Sequence, residues 1–152
     1  MYQIVLLLHS WTRWLVLIFG LIAIFRAFGG WQGRRPWLGA DNGMGASFVG
    51  SMHLQLLLGL ILYLTGPLGM KAFDAGSAVM KDPGSRFWAV EHLAGMLLAV
   101  ICAQVGRTLS KKATNPVLKH KKAFTWFLIA LLLVLVMIPW GIWNPARPLF
   151  RF

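Results

Sequence analysis

AFTWFLIALLLVLVMIPWGIW, residues 123–143, is a run of twenty-one consecutive positions without a charged side chain. The hydrocarbon core of a bilayer is crossed by about 20 residues of apolar α-helix, so this stretch is long enough to span it. We therefore predict a membrane helix from about residue 116 to about residue 143, with its apolar core beginning at Ala123. Pro139 is expected to kink the last turn of this helix.

Three more apolar runs of similar length precede it, at about residues 2–28, 46–65 and 85–106. Pro83 stands just ahead of the third run and is a helix-start signal. The loops between the runs are rich in Gly, Pro and charge, and no soluble domain interrupts them. The sequence therefore predicts an all-α fold, a transmembrane up-and-down four-helix bundle that forms one domain over residues 1–152.

The composition agrees with a membrane protein. Apolar types make up 58% of the 152 residues and charged types only 12%, whereas a soluble domain carries about 25% charged residues. The net charge of +11 would suggest nucleic-acid binding in a soluble chain. Here the basic residues lie in short loops between apolar runs, where they meet anionic headgroups. Membrane lipid is thus the expected partner, and nucleic acid is not.

The basic residues also predict an orientation. The side of the first and third loops carries Arg26, Arg34, Arg35, Arg107, Lys111, Lys112, Lys119, Lys121 and Lys122. The side of the second loop and the C-terminal tail carries Lys71, Lys81, Arg86, Arg147 and Arg151. The positive-inside rule places the richer side in the cytoplasm and both termini outside. The N-terminus lacks a basic region and a small-residue cleavage pattern, so we expect its helix to be retained.

Each predicted helix contains one histidine, at His9, His53, His92 and His120. Ionisable side chains are costly inside a membrane helix, so each one is a candidate functional residue. The first and third helices run in the same direction, and His9 and His92 then lie within roughly 3 Å of the same depth. These helices are diagonal neighbours in a square bundle. Two imidazoles so placed could ligate a flat macrocycle from both faces, as haem iron is held.

Small residues share the helical face of His92, at Ala89, Gly95, Ala99, Ala103 and Gly106. Gly20 shares the face of His9 in the same way. Two interpretations remain open at this point. The small side chains either leave room for a macrocycle or let neighbouring helices approach closely, as small residues do in many membrane bundles.

Arg13 lies one helical turn from His9, and Glu91 is adjacent to His92. A direct ion pair between Arg13 and Glu91 across the bundle is the first hypothesis. A contact of Arg13 with a haem propionate is the second, because a guanidinium group matches a carboxylate well. In the third, Arg13 extends its guanidinium group to the outer interface.

His53 and His120 form the second diagonal pair. His120 sits in the basic string 119–122, so a solvated His120 and a lone polar His53 are weighed ahead of a second haem. A quinone headgroup at His53 and Gln55 receives little weight, because the two side chains point about 200° apart on a helix.

Other sequence signals narrow the chemistry. Cys102 is the single cysteine, so neither an intrachain disulfide nor a cysteine metal cluster can form. The chain has no Cys-x-x-Cys-His motif, so any haem would be non-covalent haem b. It also has no P-loop, Rossmann fingerprint or nucleophile elbow.

Several short motifs resemble those of a family of small bacterial four-helix membrane proteins that are commonly named cytochrome b or cytochrome-b-like. The motifs are His9-Ser-Trp-Thr-Arg13-Trp14, Val90-Glu91-His92 and Lys119-His120-Lys121, followed by an apolar helix that ends in Ile138-Pro139-Trp140. The resemblance implies haem b, respiratory electron transfer and the bacterial cytoplasmic (inner) membrane. It also implies a role for the four histidines, although large cytochromes b place two ligands on one helix and this chain does not.

We therefore expect a membrane cytochrome that carries electrons between the quinone pool and another redox protein. Its expected partners are quinone and other respiratory membrane subunits. His9 and His92 are the expected ligands of one haem, with His53 and His120 as a second pair. The alternative is a non-redox accessory or assembly subunit of a larger membrane complex. A transporter is disfavoured by the short loops and unbroken helices.

Overall fold

The structure, a computed structural model, describes residues 1–140 and residue 150. Its helices are α1 (Tyr2–Gln32), α2 (Gly39–Thr65), the short α3 (Ala78–Lys81) and α4 (Pro83–Arg86), α5 (His92–Lys112) and α6 (Pro116–Met137). A 3₁₀ turn (Met70–Ala75) follows α2, and a π-helical turn (Phe87–Glu91) joins α4 to α5 in one continuous helix. No strand occurs in the described residues.

The four long helices form a square. Helix α1 packs against α2 and α6, and α5 packs against the same two helices, so α1 and α5 lie on one diagonal. Each of the four long helical segments is long and apolar enough to cross a membrane. This arrangement confirms the predicted all-α, up-and-down four-helix bundle.

Large apolar side chains are exposed on the outer faces of all four long helices. Examples are Phe25 on α1, Leu57 on α2, Ile101 on α5 and Val136 on α6, each more than half exposed. Soluble monomers rarely show apolar surface of this extent. Because helices satisfy their own backbone hydrogen bonds, such a surface is stable against lipid.

Helix α2 begins earlier than the apolar run predicted, at Gly39 rather than near residue 46. The reason is the Asp41 carboxylate, which accepts a hydrogen bond from the Leu38 amide at 2.8 Å and so caps the first turn. The same carboxylate binds the Arg26 guanidinium at 2.8 Å. A polar segment that resembles a loop by composition is therefore helical.

Helix α6 ends at Met137, two residues before Pro139, and the following Ile138 has extended backbone angles. The residue before a proline disfavours helical geometry, so Pro139 terminates the helix instead of kinking it. The indole Nε1 of Trp140 donates a hydrogen bond to the Leu135 carbonyl at 2.8 Å, which satisfies one of the last acceptors of the helix. The predicted continuation through residues 141–143 lies outside the described residues.

Candidate functional site

A cleft opens between the four long helices at the end of the bundle that carries the N-terminus. It encloses about 150 Å³, and most of its wall is made of apolar side chains such as Leu6, Leu56 and Met96. Its polar wall residues are Tyr2, His9, Ser10, Arg13, Gln55, Tyr63, Trp88 and His92. An apolar cleft with a few convergent polar groups is the usual form of a ligand site.

Both histidines of the first predicted pair line this one cleft, although α1 and α5 make few direct contacts. The His92 ring is anchored at one nitrogen, with Nδ1 lying 3.0 Å from the Met137 carbonyl oxygen. A carbonyl only accepts, so Nδ1 carries the proton and the lone pair of the neutral ring is on Nε2. Histidines that ligate metals commonly have this arrangement.

The backbone just before His92 is a π-helical turn, Phe87–Glu91. The Tyr63 hydroxyl of α2 donates a hydrogen bond to the Ala89 carbonyl in this turn at 3.1 Å. The ring of Trp88 lies 5.4 Å from the His92 ring, centroid to centroid. Single π-helical turns occur frequently at functional sites, and this one sets the position of His92.

The His9 ring is held by Gln55 of α2. The Gln55 amide nitrogen lies 3.0 Å from the His9 carbonyl oxygen and 3.2 Å from His9 Nε2. The Nδ1 atom of His9 is buried and has no hydrogen-bond partner among the described residues. The ring also lies against Gly59, where an added Cβ would stand 3.1 Å from His9 Cε1. Gln55 is therefore a site residue, although its spacing from His53 argued against such a role.

Arg13 also lines the cleft, and its guanidinium carbon lies 5.5 Å from the centre of the Trp14 ring. The predicted partner Glu91 instead forms an ion pair with Arg86 at 2.7 Å, and both of those side chains are about two-fifths exposed. Arg86 and Glu91 are five residues apart, a spacing that an α-helix separates and a π-helical turn brings together. Glu91 therefore pairs with a residue of its own helical segment, and not with Arg13 across the bundle.

The second predicted pair, His53 and His120, does not line the cleft. The His53 side chain is exposed, whereas His120 is fully buried against Gly30 and Trp37. His120 is therefore not the solvated member of a basic cluster that the sequence suggested. With one ring on the outer face and the other in the core, these two residues are not placed to ligate one metal ion together.

The structure places Gly95 and Ala99, two of the small residues that could have made room for a macrocycle, in close packing instead. A Cβ at Gly95 would lie 2.5 Å from the Met137 sulfur of α6, and Ala99 is fully buried in the apolar core. Gly20 is covered in the same way, since a Cβ added there would lie 2.9 Å from the Phe48 ring of α2. The small residues serve close helix packing, which was the open alternative.

The donor chemistry of the cleft fits haem b in part. Two imidazoles from diagonal helices line one apolar cleft, and His92 has the tautomer that a ligand needs. Two features argue against this fit. Gln55 is within hydrogen-bond distance of His9 Nε2, the atom that would bind the iron. The cleft volume of about 150 Å³ holds about one aromatic ring, so a porphyrin would extend beyond the cleft. Among residues 1–140, no group of three or more His, Cys, Asp or Glu side chains is suited to a metal ion.

No family model, curated protein or solved structure matches this chain. The fold itself defines the class, a multi-pass helical membrane protein built as an all-α bundle. Within that class, the cleft between His9 and His92 is the candidate functional site.

Proposed function

We propose that this chain is a b-type haem membrane cytochrome that takes part in respiratory electron transfer, between the quinone pool and another redox protein. The single observation that supports it most is the position of His9 and His92, which come from diagonal helices and line the same cleft. One haem follows from this pair. The residues that would hold it are His92 and His9, with Arg13 near a propionate.

When bound, haem supplies one-electron transfer, and the protein supplies ligands and surroundings. His92 is kept in the ligating tautomer by the Met137 carbonyl. The apolar wall of the cleft gives a low dielectric constant, which strengthens the effect of each nearby charge. Arg13 is a cationic side chain on this wall, one turn from His9.

The proposed location is the bacterial cytoplasmic membrane, with both termini outside. The uneven distribution of Lys and Arg supports this orientation, because the end of the bundle with the first and third loops carries more of these basic residues than the other end. The cleft then lies toward the outer leaflet. Quinone and other respiratory subunits are the proposed partners there.

A reduced-minus-oxidised visible spectrum of the purified protein, expressed with sufficient haem, tests the proposal. We expect haem b bands in the native chain and a large loss of bound haem in His92→Ala. His53→Ala is the matched control, since His53 is exposed and away from the cleft. This variant should keep the native haem content.

A colourless native protein would rule out the cytochrome. It would instead support a non-redox accessory or assembly subunit, whose test is co-purification with a larger membrane complex. Equal haem loss in His53→Ala and His92→Ala would show that the cleft is not the binding site.

A further inference from the structure

Gln55 is a buried glutamine in the membrane part of α2, and its side chain is 5% exposed. Its carbonyl oxygen accepts from the Thr12 hydroxyl of α1. Its amide nitrogen lies within hydrogen-bond distance of the His9 carbonyl oxygen and of His9 Nε2. All the polar atoms of this side chain are therefore engaged with two residues of the neighbouring helix.

This network fixes the proton on His9. The His9 carbonyl oxygen only accepts, so the NH₂ group of Gln55, and not its oxygen, must face it. The second hydrogen of the same NH₂ group is then donated to Nε2, which must be the unprotonated nitrogen of the neutral ring. The proton of His9 is on Nδ1, the buried atom with no partner among the described residues.

Metal ligation by His9 is incompatible with this hydrogen bond, whichever nitrogen is used. A metal at Nε2 would take the lone pair that now accepts from Gln55. A metal at Nδ1 would require the proton to move to Nε2, which would then face the NH₂ group of Gln55 as a second donor. A neutral imidazole can bind a metal only through Nε2 or through Nδ1, so these two cases cover all possibilities.

His92 has no such conflict, because its anchor to Met137 uses Nδ1 and leaves the lone pair on Nε2. The two histidines of the cleft therefore differ in whether a ring nitrogen is available to bind a metal. We propose that Gln55 is a positioning residue that holds His9 off the metal, so that His92 is the permanent ligand and His9 an exchangeable one. This inference rests on the proposed haem function.

The apo protein gives the first test. Nitrogen-15 NMR of histidine-labelled protein in detergent reports which ring nitrogen carries the proton. We expect His9, assigned by comparison with His9→Ala, in the Nδ1–H form, and a mixture of the two tautomers in Gln55→Leu. A native His9 in the Nε2–H form would overturn the inference without involving haem.

The haem-loaded protein gives the second test, through carbon monoxide binding and the spin state in the visible spectrum. Loss of one competing hydrogen bond should favour ligation by His9 by about twofold to tenfold. Gln55→Leu should therefore be more fully six-coordinate and bind carbon monoxide correspondingly more weakly. The control is Gln104→Leu, the same substitution at an exposed glutamine of α5, which should leave both properties unchanged.

The possible results separate the two proposals. If Gln55 only supports the fold, Gln55→Leu should loosen His9 and bind carbon monoxide more tightly, which is the opposite result and overturns the inference. Unchanged coordination in Gln55→Leu also overturns it, while leaving the haem proposal intact. A native protein that binds no haem overturns both.

Discussion

His92 of α5 donates its Nδ1 hydrogen to the carbonyl oxygen of Met137, the last residue of α6, at 3.0 Å. The last four carbonyl groups of a helix have no partner within the helix. The bond therefore has two consequences at once. It satisfies an open acceptor at the end of α6, and it sets the tautomer of a ring that lines the cleft.

These two roles of His92 can be separated with asparagine. The side-chain nitrogen of asparagine reaches nearly the position of Nδ1, so His92→Asn keeps the donor to Met137 and lacks Nε2. We expect its free energy of unfolding in detergent to stay within about 1 kcal/mol of the native value, whereas His92→Ala loses about 1–3 kcal/mol.

Haem content, measured on the same two variants, should fall equally in both. A His92→Asn protein that retains native haem content would show that Nε2 of His92 is not a ligand. Equal stability losses in the two variants would show that the bond to Met137 contributes little.

The packing of His120 gives a prediction that involves no ligand. Its ring lies directly on the backbone of Gly30, where a Cβ would overlap the ring atoms. We expect Gly30→Ala to destabilise the protein by about 1–3 kcal/mol, because a fully buried ring has nowhere to move. Detergent unfolding curves give the measurement.

Gly50→Ala is the matched control, since none of the neighbouring helices in the described part of the chain comes within 4 Å of a Cβ added at that helical position. It should stabilise the protein by about 0.5–1 kcal/mol, as alanine does relative to glycine within a helix. The cost of Gly30→Ala should also shrink when His120 is replaced by alanine, because the overlap is then removed. Additive effects of the two substitutions would contradict this packing.

The sequence predicts the properties of a single helix well, and it predicts contacts between two helices poorly. The length and apolarity of each run belong to a single helix, so the four-helix bundle follows from them. The contact of Gln55 with His9 depends on how α1 and α2 are rotated against each other. The sequence of either helix alone does not determine that rotation, so this contact could not be predicted.

Two other differences between the predicted and the observed site have physical causes that cannot be recognised from the residue types alone. Gly95 and Ala99 suit both a macrocycle and a close helix, and only the position of α6 decides between them. The expected pairing of Glu91 with Arg13 assumes a regular α-helix. The π-helical turn adds one residue to a turn, about 100° of rotation, and so directs Glu91 to Arg86.

Asp41 should matter more for stability than its place near a loop suggests. Its carboxylate side chain is only 6% exposed, caps α2 through the Leu38 amide and pairs with Arg26. Asp41→Asn keeps the volume but removes the charge, and we expect a loss of about 1–2 kcal/mol, mostly from the weakened cap and ion pair. Thermal unfolding in detergent measures it.

Asp74→Asn serves as its control, because Asp74 is exposed in the 3₁₀ turn. This substitution should change stability by less than about 0.5 kcal/mol. If both variants unfold at the native temperature, the contacts of Asp41 are not what fixes the start of α2.

Arg13 leads to a prediction about the potential of the proposed haem. A positive charge at the wall of an apolar cleft opposes the additional positive charge of oxidised iron and so favours the reduced state. Arg13→Gln should therefore lower the midpoint potential, by an amount on the order of tens of millivolts, since about 59 mV corresponds to tenfold in a one-electron equilibrium. Spectroscopic redox titration of the detergent-purified protein measures this shift.

Arg86→Gln is the matched control for charge. Arg86 lies outside the cleft wall, and its charge is balanced by the ion pair with Glu91, so its removal should shift the potential much less. A larger shift for Arg86→Gln than for Arg13→Gln would place the haem nearer to the exposed pair than to the cleft. Unchanged potentials in both variants would remove Arg13 from the surroundings of the iron and leave His9 and His92 as the residues to test.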